Sequence, residues 1–462
     1  MTSGRPGRAP APDPPRQLAY ELLRAVDENA AYANLVLPAL ITERKLTGRD
    51  AALATELGYG TVRASGTLDE IVSRCVDRPL TEVDPPVRYL LELGAYQLLR
   101  TRIPPHAAVG TTVDLARATG NGRAGGFLNA VLRRVAADDW HGWTELLSVG
   151  GSPVRRLALR SAHPEWIAAA FADALDGDLA ETEAALLADD LRPQTHLVAW
   201  PGRIDRSELI AESGGTAGPY SPYAVRLAGG DPASFEAVRH RRAGVQDEGS
   251  QLCALALVQA PLVGRDERWL DLCSGPGGKT AILAALAATG PYSSAPVVTA
   301  NELHAHRAEL VRKSTAAWQV QIRVGDARTM PVPDGGYDRV LLDAPCTGLG
   351  ALRRRPEARW RRRPDDVREL ADLQVDLLAA ALRLARPGGV VAYVTCSPHP
   401  AETTELIDRV AAAGGADVPA FEVSDARAAF PGVDQLGAGP FVQLWPHRHG
   451  TDAMFCALLR RI

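Results

Sequence analysis

At 462 residues the chain is long enough for about two or three domains, and 46% hydrophobic with 23% charged residues is the balance of a protein that buries a large core. A formal net charge of −4 excludes a uniformly basic nucleic-acid binder and leaves any such binding to local patches. No apolar stretch reaches the ~18 to 20 residues that cross a bilayer, so no membrane partner is expected and the chain is read as cytoplasmic.

The first residues, 1–15, are rich in proline, glycine and alanine without an apolar centre, and read as a disordered leader, not a signal peptide. Residues 16–145 read as an all-helical domain. Leu18, Leu22, Leu23 and Val26 recur at helical spacing. Leu90, Leu91, Leu93, Leu98 and Leu99 do the same after Asp84-Pro85-Pro86. Pro104-Pro105 breaks the pattern, Ala107 to Ala118 resumes it, and Phe127 to Val135 forms a last helix with a basic edge. By itself this domain carries no chemistry and reads as a packing or docking module.

Residues 152–242 read as a small α+β connecting domain, with a strand at Thr195–Trp200, a helix at Arg206–Ser213 and turns at the glycine pairs 214–215 and 229–230. From residue 246 to 462 strands and helices alternate, which predicts an α/β domain with a mostly parallel sheet. Strands are expected at 268–272, 297–301, 321–324, 338–342 and 389–394, and helices at 280–288, 304–318 and 367–384. Residues 441–444 and 454–458 read as a hairpin closing one edge.

Cys273-Ser274-Gly275-Pro276-Gly277-Gly278-Lys279 lies between the first of these strands and its helix. Glycines there let the backbone approach a ligand closely. A Walker A loop would need glycine where Cys273 stands, and the dinucleotide fingerprint fails at Thr280. Only three of the 51 basic residues are lysines, which favours a specific role for Lys279. Glu302 and Asp326 follow the next two strands. There carboxylates suit ribose hydroxyls and an adenine edge, because open α/β sheets bind ligands at the strands' carboxyl ends. Either acid taken singly is more often a helix cap or a solvated charge.

The six cysteines include no C-x-x-C pair, so no zinc or other metal site is expected. Cys75, Cys253 and Cys456 read as small buried hydrophobes. Cys346 and Cys396 each follow a buried strand, in Asp343-Ala-Pro-Cys346 and Val394-Thr-Cys396-Ser. A thiolate that adds to carbon 6 of a cytosine makes carbon 5 nucleophilic enough to take a methyl group, and a second thiol can assist its later release. Chemistry alone does not say which cysteine attacks.

Gln246-Asp-Glu-Gly-Ser250, the loop at 273–279, Asp343-Ala-Pro-Cys346-Thr-Gly, Tyr393-Val-Thr-Cys396-Ser and Gly450-Thr-Asp452 stand in one order. In that pattern the chain resembles the RsmB/NOP family of RNA 5-methylcytosine methyltransferases. The resemblance implies a Rossmann-like class I methyltransferase domain and S-adenosyl-L-methionine as donor. It makes Cys396 the nucleophile, gives Cys346 the release step, and sets Asp343 between cofactor and base. The N-terminal helices, most clearly Phe127-Leu-Asn-Ala-Val-Leu-Arg-Arg134, resemble the NusB-type RNA-binding domain. Within the family that arrangement marks the enzymes acting on small-subunit (16S) ribosomal RNA. Two departures stand out: Ser274-Gly275 replaces two alanines, and no asparagine follows Glu402, which leaves the role of Glu402 and Thr403 open.

Residues 353–363 hold seven arginines and one acid, Glu357. Arg353, Arg354 and Arg355 suit phosphates, and Trp360 suits stacking on an unpaired base; the competing reading is a solvated helix face. Nothing demands more than a monomer. Alternatives to ribosomal RNA of the small subunit are transfer RNA, large-subunit RNA and a non-catalytic RNA-binding assembly factor. DNA methylation would leave the second cysteine unexplained.

Overall fold

The computed structural model describes residues 13–415 and 418–462, and the leader expected at 1–15 lies outside them up to residue 12. Helix α1 (Pro14–Glu28) already begins at Pro14, because Asp13 caps it by accepting from Arg16 N and proline suits the first helical turn. The described residues form two compact units, 13–191 with 352–362, and 192–351 with 363–462.

The first unit is helical: α2 (Ala33–Glu43), α3 (Gly48–Cys75), α4 (Pro85–Arg100), α5 (Pro105–Ala118), α6 (Gly125–Val135), α7 (Trp140–Ser148), α8 (Pro153–Arg160), α9 (Glu165–Ala174) and α10 (Leu179–Ala188). Leu18, Leu22, Leu57, Leu68, Leu90, Leu93 and Leu132 share its core. Helices approach closely where glycine leaves room: a Cβ at Gly60 would lie 2.0 Å from the Tyr96 hydroxyl, and one at Gly94 2.7 Å from Leu132. Two expectations are corrected here. Phe127–Val135 does not end the helical part, and the boundary falls after Leu191, so α8 to α10 leave the proposed α+β segment. Their short amphipathic turns carry no signal that separates them from a mixed domain.

The second unit opens with an antiparallel sheet ordered β2-β3-β1-β4, made of β1 (His196–Ala199), β2 (Thr216–Ala217), β3 (Ala224–Arg226) and β4 (Ala243–Val245), with α11 (Arg206–Ser213) and the one-turn α12 (Glu236–Arg239). After α13 (Glu248–Gln259) come β5 (Arg268–Asp271), α14 (Gly278–Thr289), β6 (Val297–Glu302), α15 (Ala305–Ser314), β7 (Val320–Val324) and β8 (Tyr337–Asp343). The chain then contributes 352–362, with α16 (Ala358–Arg361), to the first unit. It resumes as α17 (Pro364–Leu384), β9 (Ala385–Thr395), α18 (Thr404–Ala413), β10 (Phe421–Ser424), β11 (Val442–Gln443), α19 (Pro446–His449) and β12 (Phe455–Arg461).

The large sheet runs β10-β12-β9-β8-β5-β6-β7. β5 to β9 are parallel, while β12 is antiparallel to both β9 and β10. Both faces are covered, so side chains alternate between two cores. Leu341 packs with Trp269, Leu283 and Val298, whereas Val340 and Leu342 pack with Leu377, Leu378 and Leu406. The expected hairpin exists, as β11 against β12, but it does not close the sheet; β10 forms that edge. Strand order reverses between β5 and β8, the switch point beside which such sheets bind ligands. Among the described residues no helix is long and apolar enough to cross a membrane.

Candidate active site

The loop after β5 is drawn tight against the end of β6. Ser274 N donates to Asn301 O and Gly275 N to Glu302 Oε2, at 2.9 and 3.0 Å. Glu302 is buried, and its other oxygen accepts from His304 N at 3.0 Å. A Cβ on Gly275 would meet that carboxylate at 2.3 Å. Gly277 has φ +108°, and a Cβ there would lie 3.0 Å from Val311 Cα, so residue 277 must be glycine for the loop to close. Arg307 Nη2 holds Gly275 O at 2.7 Å. Asn301, which sequence reading did not single out, bridges Leu272 O and Gly325 O and ties the ends of three strands together.

Asp271, at the end of β5, is buried and accepts from Thr280 Oγ1 at 2.6 Å; its Oδ1 has no partner. Burial pushes its carboxyl up to about 7, against the Thr280 hydrogen bond. Buried Gln246 lies beside Gly278 and its Oε1 is also without a partner. A loop with no room for side chains, flanked by two orphaned acceptors and a buried carboxylate, fits a ligand that brings hydroxyl and ammonium donors. Burial raises the Cys273 thiol as well, so this cysteine remains a neutral wall of the loop. Asp326 is less enclosed: its carboxylate caps residues 327–329 and is paired with Arg328 at 2.7 Å. That pair holds it below the usual carboxylate range.

Asp343 ends β8 and receives Lys279 Nζ at 2.7 Å. Burial opposes the charge on Lys279, but the Asp343 carboxylate outweighs it and keeps the amine protonated. In the parallel pairing of β8 with β9, Asp343 stands opposite Val394. The two cysteine segments therefore leave the sheet side by side, and Cys346 Sγ lies 3.4 Å from Cys396 Sγ. Neither cysteine is in a disulfide, and both are half-buried. The hydrogen bond with Cys396, then burial, raises Cys346 well above an ordinary thiol and keeps it neutral. Cys253, Cys75 and Cys456 are buried and free. Among the described residues no cluster could hold a metal ion.

Residues 260–460 match the model of the 16S rRNA methyltransferase RsmB/F family, and residues 13–137 that of the NusB family. The chain is 52% identical over 460 residues to the provisionally named methyltransferase Rv1407 of Mycobacterium tuberculosis H37Rv, covering 99% of this chain and 98% of that protein. It is 31% identical over 461 residues to a protein of Bacillus subtilis strain 168, provisionally named ribosomal RNA small subunit methyltransferase B, with 96% and 98% covered. The chain belongs to the RsmB/F family of methyltransferases. The Cronobacter sakazakii ribosomal RNA small subunit methyltransferase B is 36% identical over 405 residues, 85% of this chain and 88% of that one. The crystal structure of PH0851 shares the fold at TM-score 0.76 and 22% identity, covering 98% and 99% of the two chains. The fold class and the S-adenosylmethionine-dependent RNA methyltransferase activity follow from this membership.

With the family in hand, the motif residues of the methyltransferase divide by task. Asp247 caps α13 and accepts from Asp452 N at 3.1 Å, and buried Glu248 accepts from Tyr220 N and Ser221 N. These motifs clasp the chain together and leave Gln246 facing the loop at 273–279. The arginine run is corrected in part. Trp360 is not a free stacking surface: its indole donates to Arg63 O at 2.8 Å and covers Gly66, where a Cβ would sit 2.2 Å from the ring. Arg353 is buried, Arg354 half-buried, and Arg355 exposed beside Tyr32. An arginine run on one short turn cannot point all its side chains outward.

Proposed function

We propose that this methyltransferase makes 5-methylcytosine in 16S ribosomal RNA through a covalent cysteine adduct. The observation that carries the reading is the pair of thiols 3.4 Å apart at the ends of adjacent parallel strands, next to the Lys279–Asp343 pair. The small-subunit target is supported by the names of the relatives that match across the chain.

In this reading Cys396 Sγ forms a bond to carbon 6 of the cytosine, and the carbon 5–carbon 6 electron pair becomes available at carbon 5. S-adenosylmethionine supplies the methyl group that carbon 5 takes. The carbon 5 proton then passes to Cys346 as a thiolate, the sulfur–carbon 6 bond breaks with its electron pair returning to Cys396, and the ring double bond returns. Bonding of Cys396 to carbon abolishes the hydrogen bond that is the main cause of the raised Cys346 pKa. Cys346 is thereby freed to assist release at that stage. Asp343 orients the base edge, with Lys279 fixing its carboxylate. Cys273 to Lys279 enclose the cofactor, Glu302 accepts from its ribose hydroxyls, and Asp326 faces its adenine. Exposed Arg355, with Arg353 and Arg354 nearby in the chain, is assigned to RNA phosphates.

Bisulfite sequencing of ribosomal and transfer RNA from cells with and without the gene tests the reading. Loss of one 5-methylcytosine in 16S RNA is the expected result. Loss in transfer RNA alone would move the substrate, and no loss in any RNA would overturn the reaction.

A further inference from the structure

The thiol pair needs something to hold its spacing, since Cys346 sits on an irregular loop. Glu402, on the turn after β9, is fully buried. Its Oε1 accepts from Thr347 N at 2.8 Å, and its Oε2 accepts from the Thr347 hydroxyl. Gln374 of α17 donates from Nε2 to Pro345 O at 2.8 Å and to Glu402 Oε1 at 3.1 Å. The peptide groups on both sides of Cys346 are thus gripped by two buried side chains that bond each other.

The same frame reaches the other cysteine. Thr347 Oγ1 lies 3.2 Å from Ser397 Oγ, so the residues that follow the two cysteines are joined. Gly350 N donates to Cys396 O at 2.9 Å. The buried Tyr393 hydroxyl, three residues before Cys396, lies 2.8 Å from Glu402 O and 3.1 Å from Gln374 Oε1. A buried carboxylate is costly unless its acceptors are filled. Here the donors are the amide and hydroxyl of Thr347 and the Gln374 side chain, so the carboxylate's acceptors are filled only when the Cys346 segment is in place.

We propose that Glu402, with Gln374, is a positioning residue that sets the Cys346–Cys396 distance and thereby governs the release step. This rests on the two-thiol reading above, yet the spacing can be measured without RNA. A misplacement of ~1 Å at a reacting group can cost about 100-fold in rate, so loosening the frame should slow release more than addition.

The test uses the full-length protein. Glu402→Ala, Gln374→Leu and the conservative Glu402→Gln are compared with the unaltered enzyme after circular dichroism and S-adenosylmethionine binding show that each is folded. First, phenylarsine oxide, which bridges two nearby thiols, is followed by mass spectrometry on a peptide holding Cys346 and Cys396. Bridging is expected to slow by at least about tenfold in Glu402→Ala and to recover largely in Glu402→Gln. Second, substrate RNA is added and denaturing gels are read for a covalent adduct. Glu402→Ala should accumulate adduct while overall turnover falls. Unchanged bridging in a folded Glu402→Ala would overturn the proposal, as would slowed turnover without adduct when Cys346→Ala does accumulate one. If Cys346→Ala gives no adduct either, the two-thiol mechanism fails, and the bridging rates still decide whether Glu402 sets the spacing. If Glu402→Ala does not fold, Gln374→Leu decides by the same two readouts.

Discussion

Cys396 and Cys346 are the same chemical group in different surroundings, and their tasks are expected to separate on mutation. Cys396→Ser should abolish methylation while S-adenosylmethionine binding, measured by calorimetry, is kept; residual turnover near the original rate would remove it as nucleophile. Cys346→Ala should leave a protein–RNA adduct that runs as a slow band on a denaturing gel. Asp271 offers a different test, through pH. Its folded carboxyl titrates near 7 because it is buried, against an ordinary 3.8. Between those values the folded state holds a proton that the unfolded state has lost, so this group makes stability fall as pH rises through the window. The full effect is of order 4 kcal/mol. Asp271→Asn keeps an acceptor for Thr280 and removes the ionisation. Its melting temperature, relative to the parent, should therefore rise between pH 5 and pH 8, and parallel pH profiles would contradict the assignment.

At the level of elements, the loop at 273–279, proposed to hold the cofactor, works by exclusion. Backbone, not side chains, forms its inner wall, and the ends of β5, β6 and β8 meet there because of the switch in strand order. Gly275→Ala places a methyl group 2.3 Å from Glu302 Oε2, a position no real Cβ takes. The loop or the carboxylate must then move, at a cost of about 1–3 kcal/mol. Since Glu302 is assigned to the ribose, the loss should fall on cofactor affinity, about 10- to 100-fold by titration calorimetry. A variant that binds S-adenosylmethionine normally would show that this wall does not face the ligand.

At the level of the whole molecule, the chain is not divided as its sequence order suggests. Residues 352–362 return to the helical unit, where Arg359 is fully buried. Its guanidinium pairs with Asp190 at 2.9 Å and donates to Ala162 O at 3.0 Å. Arg359 is therefore a structural bolt within that unit. Removing one partner of a buried pair strands the other, at about 3–5 kcal/mol. Arg359→Ala should lower the melting temperature clearly, whereas Arg355→Ala, at an exposed position, should leave it nearly unchanged and weaken RNA binding. Equal melting temperatures for both would contradict the buried role.

Much of the site was legible in the chain itself. Strand ends, the glycine loop and the two cysteine motifs are local patterns, and the period of two or 3.6 residues is written in consecutive side chains. Glu302 and Asp326, the acids proposed to face the cofactor, were singled out because each stands at or just after the end of a recognisable strand. Sequence could not reveal that Trp360 covers Gly66, that Arg359 reaches Asp190, or that Glu402 grips the loop of Cys346 from 55 residues away. These contacts join segments with no shared periodicity, and only packing brings them together. Sequence also placed two thiols at two strand ends without their distance. The parallel register of β8 with β9 decided that, because it sets Asp343 opposite Val394 and leaves the sulfurs 3.4 Å apart.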